Sequence, residues 1–258
     1  MSELSRRDFM KGAVIGTAAL SAGGLFVGCA PKSSASSSAS SQTSSSSSAT
    51  TDTASYVLDP KTAPDASTGH NFDVAPDSKT TVGTTLENLK SAIAGETAAT
   101  TKYATWAQAA EKEGFPELKR LFTCTSDAEK IHIELEYALA SKLDPSYQKP
   151  AVPDVPTYTS GINLIEAANG EIYETSDMYP SFIKAAQAEG NTEAVQIFTR
   201  AKLAEAYHAE RYLNAYSMID TPSDEKYYLC PVCGYIHKGE NFTACPICLT
   251  PKASFKAY

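Results

Sequence analysis

The chain repeats itself, and each copy of the repeat carries a Glu-x-x-His motif at a matching place. Residues 88–142 and 163–217 align with a single one-residue gap. Asn88-Leu89 matches Asn163-Leu164, Gly95-Glu96 matches Gly170-Glu171, Ala109-Ala110 matches Ala185-Ala186, and Glu113-Gly114 matches Glu189-Gly190. The offset is 75 at the start and 76 by the end, so the second copy has gained one residue. Each copy holds a Gly-Glu early and an E-x-x-H late: Glu129 to His132 in the first, Glu205 to His208 in the second. A duplication of this kind is the ligand set of a carboxylate-bridged two-metal site enclosed by four helices.

The punctuation between the motifs supplies the four helices. Thr84-Thr85-Leu86-Glu87 reads as a capping box, which starts a helix over about 85–113 that stops at Gly114. Pro116 fits the first turn of a second helix reaching about 142. Pro145, Pro150, Pro153 and Pro156 make 143–158 a helix-free connection. A third helix follows over about 160–189, with Pro180 inside it as a candidate bend, and Asn191 caps a fourth that reaches about 218. Short turns make each helix pair antiparallel, and the long connection between pairs predicts an all-α ferritin-like four-helix bundle over 83–219 with one crossover.

Within each helix the acidic groups share the apolar face. Leu89, Ile93, Glu96, Thr100 and Tyr103 recur at spacings of three and four, as do Leu121, Phe122, Thr125, Glu129 and His132. Leu164, Glu171, Glu174 and Met178 share a face of the third helix, and Ile197, Ala201, Glu205 and His208 one of the fourth. Five carboxylates and two imidazoles therefore converge. Each unpaired buried carboxylate costs about several kcal/mol, and these also repel one another. Two cations remove the difficulty, and oxygen ligands with imidazole suit iron or manganese better than copper. One such motif alone is ordinarily a solvated charge; the matched register of two is what argues for metal. Trp106 and Cys124 read as packing, since Cys124 lacks ligand spacing and a basic neighbour to activate it.

A second site lies in the tail. Cys230-Pro-Val-Cys233-Gly-Tyr and Cys245-Pro-Ile-Cys248 are two knuckles that make a tetrahedral sulfur site, open to iron or zinc on ligands alone. Disulfides within each C-x-x-C would leave the knuckles unlinked. Residues 227–258 are too few for a core of their own, so the metal contributes much of their folding free energy.

The N-terminus reads as an address. Arg6-Arg7-Asp8-Phe9-Met10-Lys11 before the weakly apolar run 12–28 resembles a twin-arginine export signal. Leu25-Phe26-Val27-Gly28-Cys29 resembles a lipobox with Phe26 where Leu is preferred, which makes 1–28 the signal and Cys29 the lipidated residue; an uncleaved anchor is the alternative. Either way the protein is expected outside the cytoplasmic membrane (in a periplasm or at the cell surface) and tethered to it. Residues 29–82 are a Ser-rich tether and an irregular lead-in; the Ser, Ala and Thr tract 30–55 is too poor in apolar groups to order itself. A formal charge of -8 argues against nucleic acid as a partner.

The residues Ala94-Gly95-Glu96, Asp127 to His132, Gly170-Glu171-Ile172-Tyr173-Glu174 with Met178-Tyr179-Pro180, and Ala204 to His208 resemble rubrerythrin. The Cys-Pro-x-Cys-Gly-Tyr knuckle, with Phe242 and Phe255 as apolar cover, is similar to the rubredoxin-like domain of that family. The resemblance implies a non-haem di-iron centre bridged by Glu129 and Glu205, with Glu96 and Glu171 as terminal ligands and His208 on one iron. His132 and Glu174 would be alternative ligands of the other iron, and Tyr103 and Tyr179 would hydrogen-bond ligand carboxylates. It also implies one iron in a rubredoxin-type four-cysteine site at Cys230, Cys233, Cys245 and Cys248. The expected activity is that of a peroxidase reducing hydrogen peroxide to water. Electrons would come from an extracytoplasmic donor, and the chain would form a head-to-tail homodimer in which one subunit's tail serves the other's site. A ferroxidase or iron-handling role, or a pure electron-transfer lipoprotein, are the alternatives.

Overall fold

The computed structural model describes residues 68–258; the export signal, Cys29 and most of the tether lie outside the described residues. Four long rods form the bundle: α1 (Thr85–Lys112), α2 (Pro116–Leu143), a third built of α3 (Ser160–Tyr173) and α4 (Tyr179–Ala188), and α5 (Thr192–Ser217). Thr84 caps α1 in a reciprocal box with Glu87, and Asn191 caps α5 by accepting from the Ala194 N–H at 3.0 Å. Gly114 and Gly190 end their helices at φ of 82° and 70°, where a side chain would be strained.

The repeated residues tie the two halves together in matching ways. Glu113, after α1, accepts from the Ser160 N–H that opens α3, and Glu189, after α4, accepts from the Thr85 N–H that opens α1. Each hairpin thus caps the first helix of the other and places a carboxylate at its positive end. Asn88 and Asn163 each clasp both backbone groups of a residue five positions earlier, Gly83 and Tyr158.

The third rod departs from the expected continuous helix 160–189. It is interrupted at Glu174–Met178 by a π-turn, in which the Tyr179 N–H reaches back to the Glu174 carbonyl. The residue gained by the second copy falls in this stretch: Glu96 and Glu171 are offset by 75, Tyr103 and Tyr179 by 76. Pro180 follows in the first turn of α4 and cannot donate to the carbonyl of Ser176. The lead-in takes that carbonyl instead, through the Ala75 N–H at 3.1 Å. Asp177 then accepts from the Ser78 hydroxyl, the Lys79 N–H (2.8 Å) and the Thr80 hydroxyl (2.9 Å), so a strap over 75–80 is laced to the turn. Farther up the lead-in, buried Lys202 of α5 donates to the Gly69 carbonyl at 3.0 Å.

The tail is a three-stranded antiparallel sheet in the order β2-β1-β3, with β1 Tyr227–Leu229, β2 Ile236–Lys238 and β3 Lys256–Ala257. Phe242 and Phe255 stack edge-on at 4.9 Å between ring centres and cover it, as expected. Glu117 of α2 receives Lys238 (2.6 Å) and the Tyr227 hydroxyl (3.2 Å), and Asp127 receives Lys256 (2.7 Å) and the Tyr258 hydroxyl (2.5 Å). Tyr207 of α5 meets Tyr235 edge-on at 4.7 Å.

Candidate metal centres

Six side chains meet at the middle of the bundle. Ligand atoms of Glu96, Glu129, His132 and Glu205 lie within 4.8 Å of one another, and so do those of Glu129, Glu171, Glu205 and His208. Glu129 and Glu205 belong to both groups, which puts them between two adjacent positions. All six residues are buried. The ring nitrogens facing inward are Nδ1 of both histidines: His132 Nδ1 stands 2.7 Å from Glu205 and 3.1 Å from Glu129, and His208 Nδ1 2.6 Å from Glu205.

Despite these separations the groups do not hydrogen-bond one another. Both oxygens of Glu129 and of Glu205, one oxygen each of Glu96 and Glu171, and both Nδ1 atoms are buried with no hydrogen-bond partner. Lone pairs so orphaned cost free energy unless they point at something else, and here they point at shared centres. The titration behaviour agrees. Burial pushes Glu96 well above the usual carboxylate range and Glu171 up to about 8. Burial also disfavours the charged forms of Glu205 and the two histidines. Even so, the histidines hold Glu205 low, while Glu205 is the strongest upward pull on both rings. The donor set fits a pair of hard divalent or trivalent ions.

The tyrosines sit across the duplication from the carboxylates they serve. Tyr103 donates to Glu171 at 2.6 Å, and Tyr179 donates to Glu96. Such donors fix the orientation of a ligand carboxylate. Glu174 is not in either convergent group: it rides on the π-turn beside them, with His132 turned inward in the place the resemblance gives to either residue. Trp106 donates to the Pro156 carbonyl at 2.9 Å in the core, and burial raises the Cys124 thiol, so both are packing residues.

In the tail, the four Sγ atoms of Cys230, Cys233, Cys245 and Cys248 cluster within 4.8 Å. Cys230 to Cys248 and Cys233 to Cys245 are each 3.5 Å apart, too far for a disulfide and right for ligands around one tetrahedral ion. This knuckle lies directly on the bundle site. The Nε2 of His132 faces the Cys233 carbonyl at 3.1 Å, and the Nε2 of His208 faces the Gly234 carbonyl at 2.8 Å. A carbonyl only accepts, so both histidines carry their proton on Nε2, leaving Nδ1 free for metal. Gly234 has φ of 75°, and a Cβ there would overlap His132 Nε2.

Within this chain the tail lies against the site of its own bundle. The reason is reach. His208 lies nine residues before the end of α5, roughly 14 Å along the helix, and the segment 218–226 easily doubles back over that length.

Three residues of the site escaped the sequence analysis. Glu136 is fully buried and hydrogen-bonds Tyr179 at 3.0 Å; its place one turn beyond His132, on the same helical face, was the available signal. Gly234 is legible only once the tail is docked, and Asp177 only once the strap is seen.

The comparisons with known proteins agree with this geometry. The family model described as Rubrerythrin matches residues 87–216, and that described as the rubredoxin-like domain of rubrerythrin matches 228–256. Nigerythrin of Nitratidesulfovibrio vulgaris (strain Hildenborough) is 59% identical over 195 residues, covering 76% of this chain and 96% of that protein. Rubrerythrin-1 of Clostridium acetobutylicum is 35% identical, covering 67% and 93%. A solved structure titled as the fully reduced, all-ferrous state of nigerythrin is 61% identical, with a TM-score of 0.72, covering 73% of this chain and 93% of that one. The cofactors are therefore a di-iron centre in the bundle and a single iron in the cysteine knuckles, and the chain belongs to the rubrerythrin family.

Proposed function

We propose that the protein is a peroxidase that reduces hydrogen peroxide to water at the di-iron centre, with electrons relayed from the thiolate-bound iron of the tail. The observation that carries this is the covalent and hydrogen-bonded path between the sites. Cys233, whose Sγ belongs to the tail cluster, accepts through its carbonyl from Nε2 of His132, whose Nδ1 faces the other centre. In this reading Glu129 and Glu205 would serve both irons, Glu96 and Glu171 one each, His208 one iron, and His132 or Glu174 the other.

When bound and reduced, the iron pair supplies two electrons and Lewis-acid stabilisation of the departing oxygen. The protein's own residues do the rest. Burial of all six converging side chains excludes bulk water. Tyr103 and Tyr179 hold Glu171 and Glu96 in orientation. The Cys233 and Gly234 carbonyls lock the tautomer of both histidines and clamp the tail against them.

Anaerobically reduced protein should consume stoichiometric peroxide and, with a continuous reductant, turn over. Accumulation of iron mineral instead, without peroxide turnover, would refute the reading and favour iron storage. Glu129→Ala should abolish peroxide consumption while leaving the visible spectrum of the tail iron intact.

Export by the twin-arginine segment, lipidation at Cys29, a periplasmic or surface location and an extracytoplasmic electron donor belong to the same proposal; its support is the sequence of residues 5–29. Metabolic labelling with a palmitate analogue, lost in Cys29→Ala, tests it. A homodimer is also proposed. Exchange of tails between two copies would preserve every tail contact described above.

A further inference from the structure

Glu136 is a carboxyl at the bundle centre that the metal reading leaves unused. It lies fully buried on α2, one turn beyond His132, with Oε1 at 3.0 Å from the Tyr179 hydroxyl and Oε2 without a hydrogen-bond partner. The same hydroxyl donates to Glu96. A phenol has one proton, and an ionised carboxylate can only accept. Two carboxyl oxygens on one hydroxyl are therefore both hydrogen-bonded only if one carboxyl is itself protonated. Glu96 faces the metal pair and is needed there as an anion. The extra proton then belongs to Glu136, which donates to the Tyr179 oxygen while Tyr179 donates to Glu96.

The duplication provides an internal contrast. The position matching Glu136 in the second copy, 76 residues on, is Tyr212, which packs against Tyr103 at 5.4 Å between ring centres. Tyr103 serves one carboxylate, Glu171. Behind the two matched tyrosines, the halves thus differ by a buried acid on the Glu96 side alone.

The groups facing Glu136 agree with a neutral acid. Burial is the largest influence and raises its carboxyl to about 8; His132 on the same helix and the Tyr179 hydroxyl pull it down, and Glu205 of α5 and Glu129 push it up. Tyr147, from the α2–α3 connection, and Glu96 of α1 feel it in turn.

We propose that Glu136 is held as a neutral carboxylic acid and delivers a proton through Tyr179 toward the Glu96 side of the di-iron pair during peroxide reduction. The chemistry requires it to come from somewhere near: hydrogen peroxide, two electrons and two protons give two waters, with the O–O bond broken and two O–H bonds formed. The reduced pair supplies the electrons, and Glu136 supplies one of the protons by way of Tyr179. The delivery step rests on the peroxidase reading above; the neutral acid does not.

Infrared difference spectroscopy separates the two. Iron-loaded wild-type protein, in which the metal pair keeps Glu96 and Glu171 ionised, should show the carbonyl stretch of a protonated carboxyl at pH 7. Glu136→Gln should lose it, and exposed Glu134→Gln should keep it. Tyr179→Phe should retain the band at the frequency of an unbonded acid, a check that stands if Glu136→Gln fails to fold. An unchanged band in Glu136→Gln would overturn the assignment. In single-turnover oxidation of the reduced protein by peroxide, Glu136→Gln should react about 10²-fold more slowly at unchanged iron content. The wild-type rate should fall once pH is high enough to ionise Glu136, and that of the variant should not show this fall. Equal rates and equal pH profiles would overturn the delivery step even with the band assigned. Absence of peroxide turnover in wild type would remove the peroxidase reading and the delivery step, with the infrared result still deciding the state of Glu136.

Discussion

Replacing Gly234 by alanine puts a methyl group where the His132 ring already stands. The added Cβ would overlap Nε2 and lie 3.1 Å from both Cδ2 and Cε1, inside ordinary contact distance. The ring cannot yield, because its Nδ1 is aimed at the metal pair among Glu96, Glu129 and Glu205. The tail must retreat instead, by roughly 1 Å to regain normal contact. That retreat takes the Cys233 carbonyl from His132 and the Gly234 carbonyl from His208, now at 3.1 and 2.8 Å. At about 1 kcal/mol net each, the docked state loses about 2 kcal/mol, or roughly 30-fold in the docked-to-undocked ratio. A further cost of about 1 kcal/mol falls on the knuckle itself, from an alanine at φ of 75°. The assay mixes fully reduced protein with peroxide and follows the visible absorption of the tail iron as it re-reduces the bundle pair. The variant should slow this intramolecular step, with iron content and the tail spectrum unchanged. Gly234→Asn tolerates the backbone angle but keeps the clash, so it should be slowed as well. Undiminished electron delivery in both variants would refute the view that this glycine couples the two sites.

Gly95 and Gly170 precede ligand carboxylates in both copies, yet a Cβ at either would meet nothing within 4 Å. Alanine at each should stabilise its helix by about 0.5–1 kcal/mol with metal binding retained, measured by thermal unfolding of the apoprotein. Asp177→Ala removes the two oxygens that accept three hydrogen bonds from the strap at the π-turn; amide exchange at Glu174–Met178 should accelerate, while α2 and α5 stay protected. Asp127 is partly buried, which alone would raise its carboxyl, but Lys130, Lys256 and Tyr258 hold it down to about 2. Because its folded value lies below the ordinary 3.8, its contribution is complete above about pH 4 and is lost as pH falls toward 2. Asp127→Asn should therefore unfasten β3 at neutral pH, seen as faster exchange at Lys256 and Ala257, and show no added loosening between pH 4 and 2.

The register of the duplicated motifs determined which side chains could meet. Spacings of three and four place Glu96, Glu129, Glu171, Glu205 and both histidines on inward faces, and helical geometry leaves them no other common destination. The caps at Thr84 and Asn191 and the stops at Gly114 and Gly190 were legible for the same reason, since each is a local backbone requirement. The one-residue drift in the repeat announced an irregularity. It could not say that the extra residue would become a π-turn, because that choice depends on the strap that satisfies the carbonyl freed by Pro180. Glu136 looked like any helical glutamate until Tyr179 was brought against it from another rod. The docking of the tail on its own bundle likewise depends on contacts more than 100 residues apart, such as His132 with Cys233, and no local pattern in the chain encodes a meeting of that kind. Local rules specify which groups face inward; only packing decides what they face.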